Sequence, residues 1–132
     1  MNSGILGFPA QRADFGPLKI LAAVKLDGTG VTTDGAGPTA GRSYSQSAVK
    51  SSYNVEKVVY NAAGDFTVYF VNPPESQHYL MLGMCRSQSG TDYFVQISEN
   101  DTDLRDRKRV ETLGRNSGSP ANISEVHLIF FA

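Results

Sequence analysis

Residues 53–70, YNVEKVVYNAAGDFTVYF, leave few choices of fold. Val55, Val58, Val59 and Tyr60 crowd the first arm of this stretch. In the second arm Phe66, Val68 and Phe70 alternate with Thr67 and Tyr69, the period-two pattern of a half-buried strand. Between the arms, residues 61–65 supply Asn and Gly where a tight turn needs positive φ. The pattern predicts a β-hairpin.

The rest of the chain repeats the theme. Residues 18–26, LKILAAVKL, have strand length, with Pro17 before them and the Asp27, Gly28, Thr29, Gly30 turn after. Residues 29–41 are poor in apolar side chains and read as an exposed loop. Residues 44–52 read as a strand. Pro73 and Pro74 break the chain after the hairpin. Residues 78–86, HYLMLGMCR, form a strong strand signal with Gly83 at an expected bulge. Residues 91–98 alternate Tyr93, Val95 and Ile97 against Phe94, Gln96 and Ser98. A charged segment, 99–109, precedes a short strand over 110–113 that starts as early as Lys108. Residues 115–120 are a polar turn, and 121–131 close the chain with Val126, Leu128 and Phe130 on one face. About eight short strands, with many Gly and Pro and no Trp, predict an all-β fold: an antiparallel sandwich or jelly roll.

At 132 residues the chain is the size of one domain. That domain is expected over 18–132, behind an extended arm at 1–17. The arm carries Ile5, Leu6, Phe8 and Phe15 among Gly4, Gly7, Pro9, Gly16 and Pro17, which oppose helix and strand alike. Those four apolar residues are the candidate docking residues, on a neighbouring copy or another protein. Covering an edge of the arm's own sheet is the alternative.

Charge and motifs narrow the chemistry. A net charge of -1 argues against a general nucleic-acid binder. No run approaches the ~18 apolar residues of a membrane span, and the N-terminus lacks a secretory pattern. Cys85, the single cysteine, rules out an internal disulfide and reads as a small core residue. Asp101 and Asp103 have calcium-like spacing, but Arg105, Arg107, Lys108 and Arg109 oppose a cation, so local ion pairs are the expectation. His78 and His127 form no zinc pattern. There is no G-x-S-x-G elbow, and the glycines at 28 and 30 lack the lysine of a phosphate loop. Asn100 and Asn122 begin glycosylation sequons without a signal peptide to give them weight. No catalytic residue, cofactor or metal is therefore expected. Of the six tyrosines, Tyr60 and Tyr69 are the first candidates for exposed contacts, as a pair on one cross-strand face.

Several segments carry a resemblance to one family. Residues 25–30, KLDGTG, resemble a first strand ending in an F-[DN]-G-T-G turn. Ser52, Tyr53, Asn54, Val55 and Val58 resemble an S-x-N-V-x-x-[IV] strand, and residues 64–70, GDFTVYF, a G-[TD]-[YF]-T-[VI]-x-F strand. Residues 79–81 and 126–130 match two further apolar strands. Over roughly 20–131 the chain is similar to small β-domains of tailed-bacteriophage structural proteins, found at tail-fibre tips and as small particle proteins. It departs from them in having Ala22, Ala23 and Val24 where a Trp is frequent, in a longer loop over 31–42, and in Pro73 and Pro74.

The resemblance implies a non-enzymatic virion protein on the phage particle surface. A capsid decoration or cement protein, or a head-fibre protein, docked by its arm, is the first expectation. Its partners would be the major capsid protein or tail proteins. A homotrimer is expected by analogy with local three-fold shell positions. The alternatives are a tail or tail-fibre component that recognises the host surface and a carbohydrate-binding module.

Overall fold

A computed structural model of the chain describes residues 18–34, 41–88 and 92–132. The arm with Ile5, Leu6, Phe8 and Phe15 lies outside the described residues, as do 35–40 of the expected loop.

Among the described residues there are ten antiparallel strands: β1 (Ile20–Leu26), β2 (Val31–Asp34), β3 (Gly41–Tyr44), β4 (Val49–Tyr53), β5 (Val55–Ala62), β6 (Asp65–Phe70), β7 (Leu80–Arg86), β8 (Tyr93–Ile97), β9 (Arg107–Gly114) and β10 (Glu125–Phe131). One four-stranded sheet runs β4-β1-β10-β7 and the other β5-β6-β9-β8, with β2 and β3 as a separate hairpin. The two sheets stack as a sandwich, as the strand count and turn spacing predict. The predicted hairpin is β5–β6, in which Tyr60 pairs with Phe66 and Val58 with Val68. Its turn is tighter than expected, because Asn61 and Ala62 remain in β5.

The core lies between the inward rows. Ala22, Val24 and Leu26 of β1 and Val126, Leu128 and Phe130 of β10 face Phe66, Val68 and Phe70 of β6 and Val110 of β9, all at most 4% exposed. The Phe70 and Phe130 rings meet edge to face at 5.0 Å, and Tyr79 makes T-shaped contacts with both. The single Tyr79 hydroxyl proton is shared between the carbonyls of Arg107 at 2.7 Å and Leu104 at 3.0 Å, so the ring's polar tip is satisfied although the residue is buried.

Four expectations are corrected. Residues 31–34 and 41–44 pair as a hairpin where a loop was expected. Backbone ladders need no apolar pattern, and Tyr44 anchors the hairpin by edge-to-face contacts with Tyr60 and Phe66. The strand expected over 44–52 is divided by a 3-10 turn at Gln46–Ala48, which buries Ala48. Gly83 marks no bulge, since β7 and β10 keep an unbroken register. A Cβ at Gly83 would meet Val95 Cγ1 at 2.7 Å and Leu128 Cδ2 at 2.9 Å, so the glycine lets β7 pack against β8. Finally, β9 begins at Arg107 and runs on through Gly114, longer than the charged sequence suggested.

Gly64 holds the tip of the central hairpin. Its φ is +66°, and its N–H donates to Asn122 Oδ1 while its carbonyl accepts from the Thr112 N–H. A Cβ there would collide with the backbone of Ala121 and with the Thr112 carbonyl oxygen at 2.7 Å. Gly118 has a similar φ of +64° with nothing within 4 Å. Gly118→Ala is therefore expected to cost only the left-handed backbone strain, ~1–2 kcal/mol. Gly64→Ala adds a collision to that strain and is expected to cost at least twice as much. Urea unfolding midpoints of the two variants check this.

Candidate interaction face

The two outer faces of the sandwich differ in kind. On the β4-β1-β10-β7 sheet the outward side chains form four cross-strand rows. Arg86 and Glu125 make the first. Met84, His127, Lys25 and Ser51 make the second. Leu82, Ile129, Ala23 and Tyr53 make the third, and Leu80, Phe131 and Ile20 the fourth. Charge is thus gathered at one end and apolar surface at the other.

At the charged end Glu125 is the hub. It accepts from Arg86 Nε at 3.0 Å and Nη2 at 2.7 Å, lies 2.9 Å from His127 Nε2, and is 3.6 Å from Lys25 Nζ. The His127 and Arg86 contacts hold its carboxyl below the usual range. At the apolar end Ile20, Tyr53 and Leu80 are 54%, 61% and 59% exposed; Val71, beside Ile20 and Tyr53, and Leu18, two residues before β1, are exposed too. Tyr53 stands between two shallow depressions. One is lined by Lys19, Ile20, Leu21, Asn54, Val71 and Asn72, the other by Ala23, Lys25, Ser51, His127 and Ile129.

The outer face of the β5-β6-β9-β8 sheet is a closed polar lattice. Arg109 makes a bidentate pair with Asp65, at 2.8 and 2.6 Å. Asn61 donates to Asp65 and Thr67, and Glu111 accepts from Ser98 and Gln96. The Tyr69 ring lies between Lys57 and Arg107, each 4.8 Å from its centre, and its hydroxyl accepts from Arg107. These groups satisfy one another and leave little for a ligand.

Tyr60 and Tyr69 do not share a face. Tyr60 pairs with Phe66, whereas Tyr69 pairs with Lys57, three residues from Tyr60, so the pleat sends the two rings to opposite sides. Both are half-buried. The exposed tyrosine is Tyr53, whose exposure depends on the β1–β4 pairing. The pattern of the sequence around Tyr53 carries no signal of that pairing.

Between Asp101 and Asp103, where a calcium ion would sit, the structure places Lys108 Nζ, at 2.9 and 3.1 Å from their oxygens. Lys108 points inward and is 4% exposed, its ammonium 5.0 Å from the centre of the Tyr79 ring. Burial alone would lower its pKa; the hydrogen bonds to both aspartates outweigh it and raise the value. Local ion pairs were the expectation, and the burial of this one was not. No group of three or more His, Cys, Asp or Glu able to hold a metal occurs among the described residues. Cys85 packs against the core, and burial pushes its thiol up, away from the reactive thiolate. His127 sits on the other face of the sheet from Cys85, since Cys85 pairs with inward Val126 and His127 with outward Met84. His78 is exposed, with its N–H on Ser76 Oγ.

Compared with known protein families, curated proteins and solved structures, the chain has no match.

Two predictions follow from the ion pairs. Arg109 first, and Asn61 after it, hold the Asp65 carboxyl below its usual value of 3.8, against the opposing effect of burial. The stability from this pair is complete above the unfolded-chain value and is lost as pH falls through the lower folded value. Asp65→Asn is thus expected to lower stability at pH 7 and to flatten the loss as pH falls below about 4, read from thermal midpoints across pH. Lys108→Met strands the buried Asp101 carboxylate and is expected to cost ~3 kcal/mol. Adding Asp101→Asn should cost far less than the sum of the single changes, in a double-mutant cycle by denaturant unfolding.

Proposed function

We propose that this chain is a non-enzymatic structural protein of a bacteriophage virion, a capsid decoration or head-fibre protein docked on the particle. The observation that carries this reading is where the chain enters the domain. Leu18 stands two residues before Ile20, the first residue of β1, and Ile20 lines one depression with Tyr53 and Val71 at the apolar end of the β4-β1-β10-β7 face; all four are at least 44% exposed. Ile5, Leu6, Phe8 and Phe15 precede that point by 3 to 13 residues in sequence. The apolar residues of the arm thus lead in sequence directly to an exposed apolar part of the domain, of a kind that marks interaction sites. The resemblance of residues 25–30, 52–58 and 64–70 to phage β-domains supplies the virion context. The self-satisfied lattice on the opposite face suits a surface turned to solvent.

A second reading draws on Tyr53. An exposed ring between two depressions is a platform for stacking on a sugar, as a tail component recognising the host surface would need.

Electron microscopy of intact particles carrying a labelled copy tests both. The first reading expects label on the head, lost from a full-length variant with Ile5, Leu6, Phe8 and Phe15 all changed to Ser that keeps the wild-type circular dichroism spectrum. Head label retained by that variant excludes docking by the arm. Label at the tail, with adsorption to host cells abolished by Tyr53→Ser, selects the second reading.

A further inference from the structure

We infer that β7 is a self-association edge, through which two copies of this chain pair antiparallel about Gly83. The two four-stranded sheets have four edge strands, and they are not alike. β4 reads VKSSY, with Lys50 and two serines, and its pairing with β1 carries a register shift. β5 carries exposed Glu56 and Lys57, has two register shifts against β6, and is overlaid by Tyr44 on Tyr60. Charge and bulges of this sort are what soluble sheet proteins use to keep edges from pairing.

The other side of the sandwich has none of these. β7 reads LMLGMCR, with no charge, proline or register shift before Arg86. Its outward Leu80, Leu82 and Met84 are 59%, 65% and 70% exposed. β8 beside it reads YFVQI, uncharged and in unbroken register, with Phe94 and Ile97 exposed. Among the described residues, no strand pairs with the free edge of β7.

The occupant follows from the pattern of β7. An open edge bonds any extended backbone, so side chains decide what pairs. A glycan would need polar partners, and β7 offers none before Arg86. A second β7 fits itself. About a two-fold axis at Gly83, Leu82 lies opposite the partner's Met84, and Leu80 opposite the partner's Arg86. All four are outward positions, so each copy keeps its faces, whereas a one-residue slip would turn them inward. The product is an eight-stranded sheet in which the Leu82 row of each copy runs on into the Met84 row of the other. At ~50 Å² of apolar surface for each half-exposed side chain, the five on this side bring ~250 Å² per copy. With the strand backbone added this stays below the ~800 Å² per partner of a stable complex. The dimer is therefore weak and reversible, with Kd roughly 1–100 µM.

Sedimentation velocity of the full-length protein between about 1 and 500 µM tests this, with hydrogen exchange measured at both ends of the range. The mass is expected to rise from 14.3 kDa towards twice that value. Protection of residues 80–86 should rise with concentration while residues 49–53 stay unchanged. L82K/M84K should remain monomeric with a wild-type thermal midpoint. A wild-type monomer throughout, or a dimer that survives L82K/M84K, overturns the inference. Protection of 80–86 that is equal at all concentrations also overturns it, because the chain's own residues then cover the edge. Should L82K/M84K fail to fold, the wild-type exchange pattern decides alone.

Discussion

The fold rests on contact between two central strands of opposing sheets. Val126, Leu128 and Phe130 of β10 and Phe66, Val68 and Phe70 of β6 are all at most 3% exposed, and the Phe70–Phe130 contact joins the rows. Burying side chains of this size contributes ~2 kcal/mol each. β10 is the last strand, yet it lies between β1 and β7 at the centre of its sheet. The first sheet is therefore complete only when the C-terminal strand pairs. Long-range pairing of this kind must close large loops before its contacts form, which favours slow and cooperative folding.

Once the core is set, each sheet has one face left over, and the two are used differently. On the β5-β6-β9-β8 face, Asp65, Arg109, Glu111, Gln96, Lys57, Tyr69 and Arg107 bond to one another, so polar groups stabilise the surface locally. On the other face most of the charge gathers around Glu125, and Leu80, Leu82, Ile129, Ile20 and Tyr53 leave an exposed, largely apolar stretch bordered by Lys19. Soluble monomers seldom leave such patches open. The proposed attachment at the Leu18 end and the self-pairing along β7 use different parts of that sheet, the one its outer surface and the other its free edge. Both can hold at once.

Much of the fold was legible because burial imposes a period on the sequence. Phe66, Val68 and Phe70 alternate, Gly64 stands where positive φ is needed, Pro73 and Pro74 end a strand, and Val126, Leu128 and Phe130 alternate again. Legibility failed where backbone bonds or tertiary contacts decide. The β2–β3 hairpin has no apolar period and is anchored by Tyr44. Lys108 breaks the rule that charges face outward, because Asp101 and Asp103 fold over to meet it from a loop. Gly83 looked like a bulge because a strand glycine has two common causes, and close packing is the other. The candidate face was hidden for a related reason: in Leu80-Met81-Leu82-Gly83-Met84-Cys85 both faces of the strand are apolar, so no alternation tells outward from inward.

The sequence by itself determined that the chain is all-β, roughly where most strands lie, and that a hairpin falls within 53–70. These follow from local chemistry: side-chain period, proline and glycine. The structure narrows that hairpin to 55–70 and gives Tyr53 to β4 of the other sheet. Only the tertiary structure decided that Leu80, Leu82, Met84 and Tyr53 stand exposed while Met81 and Cys85 pack inward, that Tyr60 and Tyr69 part to opposite faces, and that Lys108 is buried. Those outcomes depend on which strands become neighbours and in what register. That choice is made by the whole core, through contacts between residues far apart in the chain.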